Sequence, residues 1–337
     1  MRKSRVALLS TITLLAIAVT LAAFFAVNWY RQPLPLPRSP FDFDVRAGTP
    51  LTTVARTLRD AGVIPHPYAL TLLARAKGVD RAIKAGSYEL QSGITLPGLL
   101  AKLTQGDVTQ TAVTIVEGTT FAEVRRVLRA TPDVGHDIAD LPDAELLKRL
   151  GATETSGEGI LFPDTYFLAT GSSDLALLRR AYRALHARLD AAWALRAPDL
   201  PFATPYEALI LASIVEKETA HPNDRPLIAS VFINRLKRGM RLQTDPTVIY
   251  GLGAAFDGNL RKRDLLTDGP YNSYTRAGLP PTPIAVPGRA SLLAAVHPEQ
   301  TKALYFVSRG DGSSEFSETL ADHNRAVNRY QRKAQPQ

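Results

Sequence analysis

Cysteine is absent from the 337-residue chain. Its absence excludes a disulfide framework, a thiol nucleophile and every cysteine-based zinc or iron–sulfur site. Histidine is scarce as well. The six residues His66, His136, His186, His221, His297 and His323 show no ligand spacing such as His-Glu-x-x-His, so neither a metal nor a cofactor is expected. Acidic residues are in deficit, 32 Asp and Glu against 40 Lys and Arg, leaving a net charge of +8. Such a surplus suits an anionic partner, whether nucleic acid, lipid headgroups or an acidic polymer. With 45% apolar and 21% charged residues the chain is too apolar for disorder. Its length predicts about two domains at roughly 150 residues each, enough to bury a core without staples.

Long hydrophobic runs are few, and one is decisive. Val6 to Trp29 carries no charge and is broken only by Ser10, Thr11, Thr13, Thr20 and Asn28. As a helix it would extend about 36 Å, more than the roughly 30 Å of a bilayer core. A cleaved signal peptide is the alternative, but its apolar core is normally about 7–15 residues. Arg2, Lys3 and Arg5 precede the run and Arg31 follows it. This bias puts a cytoplasmic tail at 1–5, a retained transmembrane helix at 6–29 and the bulk of the chain outside the plasma (inner) membrane. Nucleic acid is then not an expected partner. Pro33, Pro35, Pro37 and Pro40 make 30–40 a stiff tether.

The next segment repeats itself. Phe43-Asp44-Val45, Tyr88-Glu89-Leu90 and Val113-Thr114-Ile115-Val116 are each followed by a glycine, at 48, 93 and 118. Counting from each glycine, offset +3 holds Leu51, Leu96 or Phe121. Offset +6 holds Val54, Leu99 or Val124, and offset +10 holds Leu58, Leu103 or Leu128. That spacing is one helical stripe, so each unit predicts a strand leading into a helix packed on it. Thr49 with Pro50 suits one helix start, and Thr120 with Glu123 predicts a capping box at another. A recurring βα unit accounts for the pattern. The first two units, 41–108, also resemble the LysM family of glycan-binding modules through Gly48-Thr49-Pro50-Leu51 and Gly93-Ile94-Thr95-Leu96.

From about 134 to 200 the chain reads as mainly helical, with a long amphipathic stretch from Leu175 to Leu195. Before it stands Glu158-Gly159-Ile160-Leu161-Phe162-Pro163-Asp164-Thr165-Tyr166, apolar yet carrying two carboxylates, which reads equally as a buried crossing between helices.

Thr204-Pro205-Tyr206-Glu207 is a capping box with proline in the first turn, so a helix starts there. It runs through an almost wholly apolar stretch to Val215 and ends in Glu216-Lys217-Glu218-Thr219. On the helical wheel Glu218 lies within about 40° of Leu211 and Ile214, whereas Glu216 points about 160° away from it. A carboxyl on the apolar face has its proton affinity raised by desolvation, as a general acid at neutral pH requires. The alternative is that both glutamates only pair with Lys217 or Arg225. Carboxylates are disfavoured at a helix C-terminus, which tilts the balance towards function. A second helix is expected from Leu227 to about Arg238. Two polar clusters follow, Gln243-Thr244-Asp245 through Tyr250 and Tyr271-Asn272-Ser273-Tyr274. Amides, hydroxyls and rings interleaved in this way suit a ligand rich in hydroxyls.

Together these words resemble the endolytic murein transglycosylase (YceG-like) family. They are Ser213-Ile214-Val215-Glu216-Lys217-Glu218-Thr219, Val231-Phe232-Ile233-Asn234-Arg235-Leu236, Leu242-Gln243-Thr244-Asp245-Pro246-Thr247, Tyr271-Asn272-Ser273-Tyr274 and Phe162-Pro163-Asp164-Thr165-Tyr166. The resemblance implies a lyase that cleaves the β-1,4 bond between N-acetylmuramic acid and N-acetylglucosamine and leaves a 1,6-anhydro end. It implies Glu218 as the catalytic acid and base, with Gln243, Asp245, Tyr250, Asn272, Tyr274 and Asn234 binding substrate and Glu216 and Asp164 in support. Implied partners are peptidoglycan glycan strands and synthases of the penicillin-binding type. Two other classes stay open. A hydrolytic muramidase would need Asp245 close to Glu218 as a second carboxylate, and a non-catalytic wall-binding scaffold would need neither. The fold expected is α+β: the transmembrane helix, a strand–helix module at 41–108, a connecting part at 109–200, a mixed catalytic core at 201–330 and a tail at 331–337.

Overall fold

The computed structural model describes residues 30–332 apart from 46–47, 85, 106–109, 133 and 170–172. The expected span at 6–29 lies outside the described residues, among which no helix is long and apolar enough to cross a membrane. The chain divides into two compact units. One reaches Ala112 and includes Phe167–Gly171; the other is Val113–Tyr166 with Ser172 onward. The connecting part beyond residue 112 therefore falls almost entirely with the expected catalytic core.

In the first unit β1 (Phe41–Val45) leads through α1 (Leu51–Asp60) and α2 (Pro67–Ala76) to β2 (Gly86–Leu90), and then to α3 (Leu96–Gln105). The strands pair antiparallel with Phe43 opposite Tyr88, their rings stacked 5.4 Å apart. Offsets +3, +6 and +10 are buried in both helices that follow a strand: Leu51, Val54 and Leu58 in α1, Leu96, Leu99 and Leu103 in α3. One hydrophobic cluster joins them to Val63, Ile64, Leu70 and Leu90. Thr49 does not cap α1, because extended Pro50 occupies the cap position and leaves the threonine one residue too far out.

Strand β3 (Gln110–Thr114) begins in the first unit and ends in the second, where α4 (Phe121–Ala130) follows with the expected Thr120–Glu123 capping box formed. Phe121, Val124 and Leu128 complete the third buried stripe. After α5 (Asp143–Leu150), the stretch read as mainly helical contains a strand, β4 (Thr165–Ala169), paired with β3. Thr165-Tyr166-Phe167 is a β-branched and aromatic run that fits a pleated surface better than a helix. The long helix α6 (Asp174–Ala194) lies where expected.

The centre of this unit is α7 (Pro205–Glu218), which opens on the predicted Thr204–Glu207 capping box. Ala208 to Val215 are all buried, and the helix is surrounded by α6, α8 (Asp224–Lys237), α9 (Asp245–Leu252) and α11 (Arg289–Val296). Helix α8 begins three residues before Leu227, since Pro226 is tolerated in a first turn. Short α10 (Lys262–Leu266) precedes α11, and a hairpin of β5 (Tyr305–Ser308) and β6 (Ser314–Ser317) with α12 (Leu320–Val327) closes the chain. The architecture is mixed α+β, and among the described residues each sheet is two strands wide.

Candidate active site

The last turn of α7 sends its two glutamates to different neighbours, as their angular separation requires. Glu216 turns to the start of α11, where Oε2 accepts from the Gly288 N–H at 2.8 Å and Oε1 pairs with Arg225 Nη2 at 3.3 Å. Arg225 also reaches Ser291 Oγ at 3.2 Å, so this largely buried pair ties α7, α8 and α11 together. Lys217 does not join it; its Nζ donates to the Gly118 carbonyl at 3.0 Å.

Glu218 turns to the start of α9. Its Oε1 accepts a hydrogen bond from Thr244 Oγ1, and no described partner reaches Oε2 of this half-buried residue. Burial pushes the carboxyl up to about 7, the Asp245 charge adds to this, and the Thr244 bond and the Arg235 cation pull the other way. Arg235 is itself buried, with Nε on the Leu304 carbonyl at 2.7 Å and Nη1 on the Leu242 carbonyl at 2.6 Å. It thereby holds the chain just before Gln243 while placing positive charge within reach of Glu218.

The segment from 243 to 245 is bent to present these groups. Gln243 is exposed and adopts φ +50°, a left-handed conformation that costs a non-glycine residue of order 1 kcal/mol and is seen where surrounding structure enforces it. Its N–H bonds the Ser273 carbonyl at 3.1 Å. Asp245, at the first position of α9, is exposed and accepts from Tyr274 Oη at 2.5 Å. Burial and then the Asp245 carboxylate push the Tyr274 phenol upward. Glu218 is thus tied to Thr244 and Tyr274 to Asp245 at the start of α9, immediately after the exposed Gln243.

A model of the YceG-like family matches residues 43–329. The chain belongs to the YceG-like family. It is 31% identical over 311 residues to the endolytic murein transglycosylase of Bacillus subtilis (strain 168), covering 87% of this chain and 85% of that protein. It is 28% identical over 316 residues to the endolytic murein transglycosylase of Streptococcus pneumoniae (strain D39), covering 83% of this chain but only 56% of that longer protein. Among solved structures, the crystal structure of a YceG-like protein from Listeria monocytogenes has a TM-score of 0.52 at 28% identity. The match covers 85% of this chain and 98% of that one.

The remaining residues singled out from the sequence are distributed differently in this YceG-like chain. Asn272 is buried, with Nδ2 donating to the carbonyls of Asp264, Leu265 and Thr267 and Oδ1 accepting from Tyr274 N–H. Asn234 spends its amide on the carbonyls of Thr301 and Ala303 at 2.9 and 3.0 Å. Both amides are thus taken up by backbone. Asp164 sits exposed just before β4, accepting from Thr165 N–H, and no described contact joins it to Glu218. Tyr250 stands edge-on to Tyr271 at 4.8 Å, near the far end of α9 from Glu218.

Tyr250 also lies near a carboxyl to which the sequence assigned no role. Glu158 is buried, accepts from the Phe121 N–H at 3.0 Å, and is pushed up to about 7 by desolvation. Its position depends on its glycine neighbours. At Gly159, with φ +72°, a Cβ would lie 2.4 Å from Pro283 Cβ, so only glycine fits. The Gly157-Glu158-Gly159 word ahead of an apolar run was the available signal. The run to Pro163 is buried, as the crossing reading expected, but it leads into β4 rather than into a helix. Among the described residues no group of His, Asp and Glu is arranged to hold a metal ion.

Proposed function

We propose that this chain is a lytic transglycosylase of murein and that Glu218 carries both proton transfers. The observation that bears most weight is a carboxyl held near neutral proton affinity at the mouth of a buried helix, in a chain of the YceG-like family. Its relatives are named endolytic murein transglycosylases, which gives the substrate class. Protonated Glu218 gives its proton to the glycosidic oxygen as the C1–O bond of the N-acetylmuramic acid residue breaks. The C6 hydroxyl oxygen of that sugar then bonds C1, and its proton passes to the Glu218 carboxylate, which restores the acid. No water is consumed, so one carboxyl suffices where a hydrolase uses two. Gln243, Asp245 and Tyr274, next to or bonded across the start of α9, are the proposed sugar contacts. Fixed by Tyr274, Asp245 orients substrate rather than acting as a nucleophile.

The apolar run at 6–29 and the prolines after it support a membrane-anchored protein with this site outside the cytoplasm, beside the synthases that make its substrate. The strand–helix–helix–strand order of the first unit agrees with a LysM-like glycan-binding role. It carries a cleft of about 380 Å³ lined by Thr49, Pro50, Thr71, Arg75, Asp80 and Arg81.

A hydrolytic muramidase is the second reading, because the Asp245 charge is felt at Glu218. Mass spectrometry of products from nascent glycan strands separates the two: 1,6-anhydro ends for the lyase, reducing ends for the hydrolase. General acid–base catalysis is typically worth about 10²–10⁴-fold. One group supplies both transfers here, so Glu218→Gln should reach or exceed the upper figure while keeping a native melting curve. Retention of activity within tenfold would remove Glu218 from its role.

A further inference from the structure

Thr244 is the N-cap residue of α9, yet its hydroxyl does not cap the helix. A threonine there ordinarily accepts from an N–H of the first turn. This one instead meets Glu218 Oε1, and the surrounding hydroxyls show which way its proton points. Thr247 Oγ1 donates to the Thr244 carbonyl at 2.8 Å. Ser273 Oγ accepts from the Thr244 N–H at 3.0 Å and stands 2.8 Å from Thr247 Oγ1, which can take the serine proton. All three hydroxyl residues are buried. The Thr244 backbone is therefore gripped at both its N–H and its carbonyl, and the only described acceptor for its own hydroxyl proton is Glu218 Oε1. A carboxylic acid accepts at its carbonyl oxygen and carries its proton on the other.

We infer that Thr244 is a positioning residue for the proposed reaction. Held by Thr247 and Ser273, it fixes Oε1 as the accepting oxygen of Glu218 and leaves Oε2 as the atom that gives and retakes the proton. The assignment rests on Glu218 being the acid and base, and it adds which oxygen acts and what orients it. It also gives the α7 terminus and the 243–245 bend a common purpose, because a bond between residues 26 positions apart locks the carboxyl to the element that carries Asp245. The hydroxyl bond favours the ionised carboxyl. Removing it should therefore let Glu218 keep its proton to higher pH while losing its orientation.

The test compares full-length Thr244→Val, Thr244→Ala, Thr244→Ser and Glu218→Gln in release of anhydro ends from nascent glycan across pH 5–9. Thr244→Val is expected to lower kcat by roughly 10–100-fold, the scale of a misplaced reacting group. KM should stay within about threefold, and the alkaline limb of kcat should move upward. Thr244→Ser should restore most of the rate and return the limb to its wild-type position. If Thr244→Val does not fold, Thr244→Ala against Thr244→Ser reads the same limb. A limb that stays fixed while Val, Ala and Ser lose rate alike would mean a structural role and overturn the inference. So would a Thr244→Val enzyme with wild-type kcat and limb beside an inactive Glu218→Gln, which leaves the Glu218 reading intact. An active Glu218→Gln overturns both.

Discussion

At the scale of single residues, two carboxyls matter because the fold holds their protons longer than water would. Burial raises Glu158 and Glu218 from about 4.5 to about 7. The folded chain thus binds these protons more tightly than the unfolded chain does. Their stabilising contribution is full below about pH 4.5 and is lost as the pH rises through about 7. For Glu158 the loss between pH 5 and pH 8 is on the order of 2 kcal/mol. Glu158→Gln keeps an acceptor for the Phe121 N–H but cannot ionise. Urea melts should find it close to wild type at pH 5, more stable at pH 8, and flatter between them. A variant less stable than wild type at pH 8 would show that the ionised carboxylate is what the site requires. Catalysis has the same sign: the Glu218 proton is lost above about pH 7, and the rate should fall there.

The turn that ends α7 is the element on which both fold and function depend. Its wheel angles send Glu216 and Glu218 apart, and the structure gives each a distinct neighbour. Glu216→Gln leaves Arg225 without its charge partner in a largely buried position, although Ser291 still receives one bond. Unpairing a buried hydrogen-bonded charge costs about 2–3 kcal/mol. Thermal denaturation should show that loss, while the rate of the folded fraction stays within about tenfold of wild type. A dead but fully stable Glu216→Gln would exchange the roles of the two glutamates. The three βα stripes were legible because +3, +6 and +10 are imposed by helix geometry alone. Helix α9 was less so: Thr244-Asp245-Pro246 reads as loop polarity until the first-turn proline is recognised as a helix start.

For the molecule as a whole, the first unit has a core of its own, drawn entirely from residues 34–103. If that unit serves attachment and the second serves catalysis, the two should be separable. Deleting 41–108 while keeping the apolar run and tether should weaken binding to sacculi severalfold more than it slows cleavage of short soluble strands. Equal loss of both would mean that the catalytic unit needs the first to fold or to act.

What the sequence determined alone is everything carried by local periodicity and local chemistry. It marked the absence of a thiol nucleophile, the stripes, the two capping boxes, the buried character of α7, and Glu218 on its apolar face. What only the tertiary structure decided is which distant groups share a space. Thr244 meets Glu218, Gly288 meets Glu216, and Glu158 meets the Phe121 N–H. Asn272 and Asn234, polar enough to suggest sugar binding, have their amides on backbone carbonyls five to 69 residues away. A side chain's type and angle follow from its own few neighbours in the chain. Its partner depends on how helices 26 or 72 residues apart pack, and no local pattern carries that information.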